Sequence, residues 1–530
     1  MSGDESEGPV DPHGPATDPD PDDPEAASFV EYGIEDKPPL GESTLLGFQH
    51  YLTMIGATVA IPLALATTMG MPDEQVGRLI GTFFVVSGIA TLAQTTIGNR
   101  YPIVQGGTFS MLAPAIAIIG VIGANGLGWE IMIRELMGAV IVAGVVEVLI
   151  GYFGVMGALK RYMSPVVIAP VIALIGLALF NSPQISTAEG QNWWLLGLTL
   201  VLIVAFSQYL DKYHRTFRLY PVLLGIGTAW VIAAVLSVTG FYAADSASYV
   251  DLAAVASAPA VQPIYPFQWG MPLFTPGFII GMIAGMLASA IESFGDYHAV
   301  ARMAGKGAPS KKRIDHGIGM EGLGNAFAGI MGTGNGSTSY TENVGAIGIT
   351  GVASRHVVQI GAIVMLVAGY VGYVGQLFAT IPNPIVGGLY IAMFGQIAAV
   401  GLSQLKFVDL DSNRNVFIVG LALFAGLAIP SYMGNVEGGA AGFQEGLAAV
   451  PALGPILGTE VVATTVFVIG STGMAVGGII AFFLDNTVEG TPEERGVTEL
   501  EAMSEDEGDF QSFWDRVGGP DSEDRAGRAD

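Results

Sequence analysis

The sequence predicts an all-α polytopic membrane protein with about fourteen transmembrane segments in a seven-plus-seven inverted repeat, segments 3 and 10 being broken. Three observations carry this. Apolar residues make up 51% of the 530 positions and charged residues 13%, against roughly 25% charged in a soluble domain, and the mean hydropathy is +0.54. Apolar windows near the length a bilayer requires, about twenty residues, recur fourteen times. Two of these windows, seven apart, are interrupted by polar, Gly-rich sequence.

The windows are 44–67, 76–98, 103–122, 132–156, 164–181, 192–210, 220–241, 276–300, 317–332, 338–352, 356–380, 384–404, 413–431 and 459–484, with 338–352 the weakest. Most connections are short, and 242–275 and 432–458 are the longest. With the N-terminus inside, alternate loops from Arg100 to Arg414 collect fourteen of the sixteen basic residues between 41 and 484. The long outer loops carry no Lys or Arg. Such a split points to an even number of crossings with both termini in the cytoplasm, and the cell membrane is the expected location. Arg78 and Arg134, the two exceptions, fall at the outer ends of spans 2 and 4.

Charge divides the chain further. Residues 1–40 carry twelve acidic side chains and one basic, and residues 485–530 fifteen and four, so the two ends hold −22 of the net −26. The membrane region is 41–484, and 1–40 and 485–530 read as acidic, disordered cytoplasmic tails, too poor in apolar residues to pack. Their acidity suits a halophilic source. Neither holds an apolar h-region, so no cleaved signal peptide is expected, and deleting 1–38 and 490–530 is expected to leave transport constants largely intact. The absence of cysteine excludes disulfides, thiolate metal sites and cysteine nucleophiles.

The interrupted stretches are 102–114 (PIVQGGTFSMLAP) and 332–345 (GTGNGSTSYTENVG). Irregular backbone at membrane depth survives only buried in protein or lining a cavity. Interrupted segments at matching places in two halves point to a transporter site, and an odd spacing of seven makes the halves inverted. A carboxylate at a helix centre costs about 2.5–3.5 kcal/mol on insertion scales, so those present need a reason. Glu292 and Asp296 in span 8 are i and i+4, on one helix face, where two close carboxylates share a proton or hold a cation. Glu342 and Asn343 stand at the break in span 10, Gln49 and His50 in span 1. Together they read as a solute and ion site. Glu147 and Glu321 are less informative, Glu321 lying near the cytoplasmic end of span 9, and Trp193 and Trp194 read as interfacial belt residues.

These residues resemble a known family. The stretch 342–351 (ENVGAIGITG) fits the signature [Gln/Glu/Pro]-Asn-x-Gly-x-x-x-x-Thr-[Arg/Lys/Gly] of the nucleobase–ascorbate transporters, the nucleobase–cation symporter-2 family that includes uracil and xanthine permeases. Gln49-His50 is similar to that family's first-helix motif, 105–109 (QGGTF) to its third-segment motif, and 292–297 (ESFGDY) to its eighth-helix motif. The resemblance implies a core domain of spans 1–4 and 8–11, a gate domain of spans 5–7 and 12–14, short antiparallel strands in segments 3 and 10, and a homodimer. It also implies solute binding by Glu292, Glu342 and Phe109, with Tyr340, Thr341 and Asn343 beside them. Ion coupling falls to Asp296, with His50 and Gln49. The expected function is cation-coupled nucleobase uptake, proton favoured over sodium, without a cofactor or a nucleic-acid partner. A glutamate at 342 resembles uracil permeases, whereas 332–338 (GTGNGST) resembles the plant and animal branch. The competing readings are a sodium-coupled ascorbate-type carrier and a sulfate- or bicarbonate-type anion carrier. No HExxH, cysteine or serine–histidine pairing points to an enzyme.

Overall fold

The computed structural model describes residues 30–156, 162–187, 192–497, 510 and 512, and of Thr341, Glu342 and Ile349 the backbone alone. Helices dominate. The first half runs α1 (Leu40–Met69), α2 (Asp73–Thr96), strand β1 (Gln105–Gly106), α3 (Leu112–Ala124), α4 (Trp129–Tyr152), α5 (Pro165–Leu177), α6 (Trp193–Val204) and α7 (Pro221–Val238). The second half runs α8 (Pro276–Met303), α9 (Lys311–Met331), β2 (Thr338–Ser339), α10 (Thr341–Thr350), α11 (Arg355–Tyr370), α12 (Asn383–Ser403), α13 (Asn413–Gly434), α14 (Glu460–Gly470) and α15 (Gly473–Thr487). Among the described residues six helices are long and apolar enough to cross a bilayer alone, and α14 with α15 forms a seventh, bent by 90°.

Local sequence sets the ends. Gly70 takes a left-handed conformation (φ 64°) and returns its N–H to Ala66 and Thr67, stopping α1. Ser310 accepts from the Arg313 N–H at 3.3 Å and starts α9. Exposed apolar side chains such as Phe180, Val201, Phe424 and Phe483 form the lipid-facing surface, while Met54, Ile61, Leu65 and Ile80 are fully buried between helices. Trp193 and Trp194 are exposed and stacked with ring centroids 4.2 Å apart.

The closest helix packing falls into two groups. In the first, α4 packs on α8 and α9, α2 on α9 and α11, and α1 on α11; in the second, α5 packs on α12, α13 and α15, and α6 on α7 and α12. The bent arm α14 packs on α8. Small residues permit the tightest of these contacts, as expected where lipid supplies no hydrophobic drive between helices. A Cβ on Gly322 of α9 would stand 2.4 Å from the Val148 backbone nitrogen of α4, and one on Gly151 2.1 Å from that of Gly319. Gly322→Leu is therefore expected to lower the thermal unfolding midpoint in detergent by several degrees, a cost of about 1–3 kcal/mol for overpacking. An unchanged midpoint would show that the α4–α9 seam can yield.

The termini of the membrane region are fastened. Glu35 pairs with Arg100 at 2.7 Å and Arg355 at 2.6 Å, and the Ala353 N–H donates to the Tyr32 carbonyl at 2.8 Å. Asp485 pairs with Arg414 at 2.9 Å and Arg495 at 2.7 Å and accepts from Ser164 at 2.7 Å. Residues 31–36 and 485–495 thus pack on the helices although they lie inside the two stretches read as tails. The reason is local pairing of opposite charges that net charge conceals. Deleting 1–38 would remove the Glu35 pairs and the Tyr32 contact, whereas deleting 490–530 would remove only the Arg495 partner of Asp485 and leave its bonds to Arg414 and Ser164. The remainder of both tails, 1–29, 498–509, 511 and 513–530, lies outside the described residues, as do Lys160 and Arg161.

Candidate functional site

The centre of the molecule is the crossing of the two interrupted stretches. β1 and β2 pair antiparallel, Gln105 opposite Ser339 and Gly106 opposite Thr338. Two residues per strand leave most backbone groups without a ladder partner, and buried ones must find another. The Tyr340 N–H donates to Val104 O at 3.1 Å. The Gln105 N–H donates to Thr91 Oγ1 at 2.9 Å, and Gln105 O accepts from Ser87 Oγ, both hydroxyls coming from α2. Asn335 ties the two stretches directly: its Oδ1 accepts from the Thr108 N–H at 2.8 Å and its Nδ2 donates to Thr108 O at 3.1 Å. Gly106 is needed here because a Cβ would meet the Tyr340 ring at 2.6 Å. From this crossing α3 and α10 start at Leu112 and Thr341, so two helix N-termini converge on one spot.

A cavity of 390 Å³ lies against the crossing. Gly107, Thr108, Phe109, Thr338, Ser339, Tyr340 and Glu292 line one wall, and Ile172, Met393, Gln396, Ile397, Ala399 and Val400 the other. The first wall belongs to the first helix group and the second to α5 and α12. A second cavity of 320 Å³ shares Ile172, Glu292 and Val400 with the first and adds Asp296, His298 and Gln404. It leads to the face carrying Arg302 and Lys306, which line its mouth. On the other side the groups touch through Phe109 and Phe394, ring centroids 5.5 Å apart at 85°, with Tyr390 stacked on Phe394 at 4.9 Å. Tyr390 Oη also donates to Ala60 O of α1 at 2.7 Å.

The structure therefore brings Glu292, Phe109 and Tyr340 to one cavity and sets Asp296 in the adjoining one. Glu292 is half-buried and Asp296 buried. Asn343 and His50 take a different place, behind the start of α10. Asn343 Nδ2 donates to Pro102 O at 2.5 Å, and its Oδ1 lies 3.3 Å from His50 Nδ1. This pair joins α1, α10 and the entry to the first interrupted stretch. Gln49 is half-buried on α1. Thr341 and Glu342 occupy the first turn of α10, and their side chains lie outside the described residues.

Two carboxylates that the sequence left uninformative stand directly behind the strands. Glu321 is 1% exposed and accepts from Thr338 at 2.6 Å, Ser293 at 2.7 Å, Tyr297 at 3.1 Å and Ser339 at 3.3 Å. It reaches the crossing because α9 begins at Lys311, not near 317, so residue 321 is half-way along the helix. Glu147 of α4, fully buried, accepts from the Asn325 amide, whose oxygen accepts from the Ser337 N–H. Gln94 of α2 completes the layer by donating to Tyr297 Oη at 2.8 Å. The available signal was the coincidence of Gln94, Asn325 and Asn335 at membrane depth on neighbouring segments, each amide needing a partner there.

Comparison with known proteins agrees with this architecture. Residues 41–434 match the model of a permease family. Solute carrier family 23 member 1 of Rattus norvegicus is 40% identical over 89% of this chain and 82% of its own length. Nucleobase-ascorbate transporter 1 of Arabidopsis thaliana is 36% identical over 88% and 91%. Among solved structures, the transmembrane domain of the cyanobacterial bicarbonate transporter BicA superposes with a TM-score of 0.51 at 16% identity, covering 75% of this chain and 98% of that one. Murine Slc26a9 in its inward-facing state gives 0.54 at 14%, covering 77% and 68%. At these identities the structural likeness concerns the fold alone. The chain is a multi-pass membrane protein that belongs to the permease family of the nucleobase–ascorbate transporters and solute carrier family 23.

Proposed function

We propose that the protein is a secondary active transporter that carries a nucleobase such as uracil or xanthine into the cell, coupled to a cation and favouring the proton. The observation that carries this reading is the cavity between the strand crossing and α12, with Glu292 at its junction with the open vestibule. A planar base presents ring N–H donors and carbonyl acceptors around one edge. A carboxylate takes the former, backbone N–H groups at the convergent helix starts take the latter, and Phe109 covers a face. The proposed topology is fourteen segments in two inverted sevens, with both termini cytoplasmic in the plasma membrane. The first helix group is the core and the second the gate. Contact through Phe109, Phe394 and Tyr390 on one side, and a cavity open towards Arg302 and Lys306 on the other, correspond to an inward-facing state. A homodimer is proposed from the family.

Asp296, one turn from Glu292, is proposed as the ion-coupling group, with the His50–Asn343 pair relaying the position of α10. Asp296→Asn is expected to leave substrate exchange largely intact while abolishing accumulation against a gradient. A variant that still concentrates labelled base as steeply as the wild type would remove the ion role. The second reading, a sodium-coupled ascorbate-type carrier, rests on the GTGNGST stretch and on relatives named nucleobase–ascorbate transporters. Uptake into proteoliposomes, competed in turn by uracil, xanthine, hypoxanthine, uric acid and ascorbate under imposed proton or sodium gradients, separates the two.

A further inference from the structure

We infer that Gln396 is the gate's own polar contact with the transported solute and a determinant of which solute is held. On α12, Met393, Gln396, Ile397 and Val400 follow at i, i+3, i+4 and i+7 and share one face. That face lines the cavity opposite Glu292, Thr338 and Tyr340. All its other members, and Ile172 beside them, are apolar. Among the described residues the Gln396 amide has no hydrogen-bond partner. The side chain is exposed to the cavity rather than packed between helices, so its amide is available to pair with a solute held there.

The chemistry of that partner follows from the amide. It offers one acceptor and two donors in a plane, so it pairs best with a lactam or imide edge, where an N–H and a C=O stand side by side. Glu292 on the opposite wall offers acceptors only when ionised. The two walls therefore ask different things of one solute: N–H groups towards the core, and a mixed donor–acceptor edge towards the gate. A solute meeting both bridges core and gate, whereas one meeting only the core demand binds without drawing the gate onto it. This assignment rests on the transporter reading and adds the gate side of specificity to it.

The test compares wild type, Gln396→Met, Gln396→Glu and Gln404→Met in proteoliposomes, using labelled uracil or xanthine, whichever the wild type carries. Gln396→Met keeps the length of the side chain and removes the hydrogen bonds. It is expected to raise KM roughly five- to a hundredfold and to shrink the preference for lactam-bearing competitors over their analogues lacking the ring N–H or carbonyl. Gln396→Glu keeps acceptors and removes donors, so it is expected to disfavour solutes that offer a carbonyl at that edge and to change the ranking of competitors. Gln404 is a glutamine two turns further along the helix that lines only the vestibule, and Gln404→Met is expected to leave the ranking as in wild type. Unchanged KM and ranking in both Gln396 variants, with wild-type uptake intact, overturns the assignment while leaving the transporter reading standing. An equal change of ranking in Gln404→Met also overturns it, by tracing the effect to general wetting of the gate. Failure of the wild type to carry any base or ascorbate overturns the transporter reading and this inference with it.

Discussion

Glu292→Gln is expected to raise the dissociation constant for the transported base at least tenfold, which is about 1.4 kcal/mol or more. Glu292 is the carboxylate shared by the two cavities, so under the proposed function it meets the solute both at the strand crossing and on the way out. Glutamine preserves the shape but turns one acceptor into a donor and removes the charge. A ring N–H that had faced an oxygen then faces an N–H in a poorly hydrated site, a mismatch costing about 1–3 kcal/mol. Equilibrium binding to the purified protein measures this directly. Binding within twofold of wild type would move the solute away from Glu292.

Glu321→Leu is expected to abolish transport and to destabilise the folded protein. Four hydroxyls converge on this carboxylate, two of them from β2 itself. Leucine leaves all four seeking partners in a site 1% exposed, and each buried polar group left unsatisfied costs about 1–3 kcal/mol. Not all of that cost would be realised, because Ser293 and Thr338, 2.8 Å apart, can bond to each other. The strand nevertheless loses its backing and with it the position of the backbone groups around the cavity. Glu321→Gln keeps an acceptor of the same shape and is expected to retain the fold while transporting poorly. Uptake together with the thermal midpoint of both variants checks this, and wild-type uptake by Glu321→Leu would show that β2 is held by the ladder alone.

The membrane class and the two interrupted stretches were legible because bilayer thickness imposes a length on apolar windows and forbids unsatisfied backbone within them. Glycine and hydroxyl residues at 105–110 and 332–340 could only be a site or a packing seam, and their matching places favoured the site. The Glu292–Asp296 face was legible from helical spacing. Three features were not. The roles of Glu321 and Glu147 depend on which side of α9 and α4 faces the strands, which periodicity cannot specify in helices apolar on nearly every side. The α12 wall of the cavity, including Gln396, comes from a distant segment whose apposition to α8 is a matter of tertiary packing. The docking of residues 31–36 and 485–495 depends on pairings such as Glu35 with Arg100 and Arg355, invisible in a count of charges.

The most direct measurement is solute counterflow in proteoliposomes of the full chain, preloaded separately with uracil, xanthine, ascorbate, sulfate or bicarbonate and presented with the labelled counterpart. Counterflow requires one site that is reached alternately from both sides, and so reports the cavity between the two helix groups without depending on the coupling ion. The account predicts rapid counterflow with a nucleobase, lost or greatly weakened in Glu292→Gln, and none with sulfate or bicarbonate. Counterflow with sulfate or bicarbonate and with no base or ascorbate would contradict it.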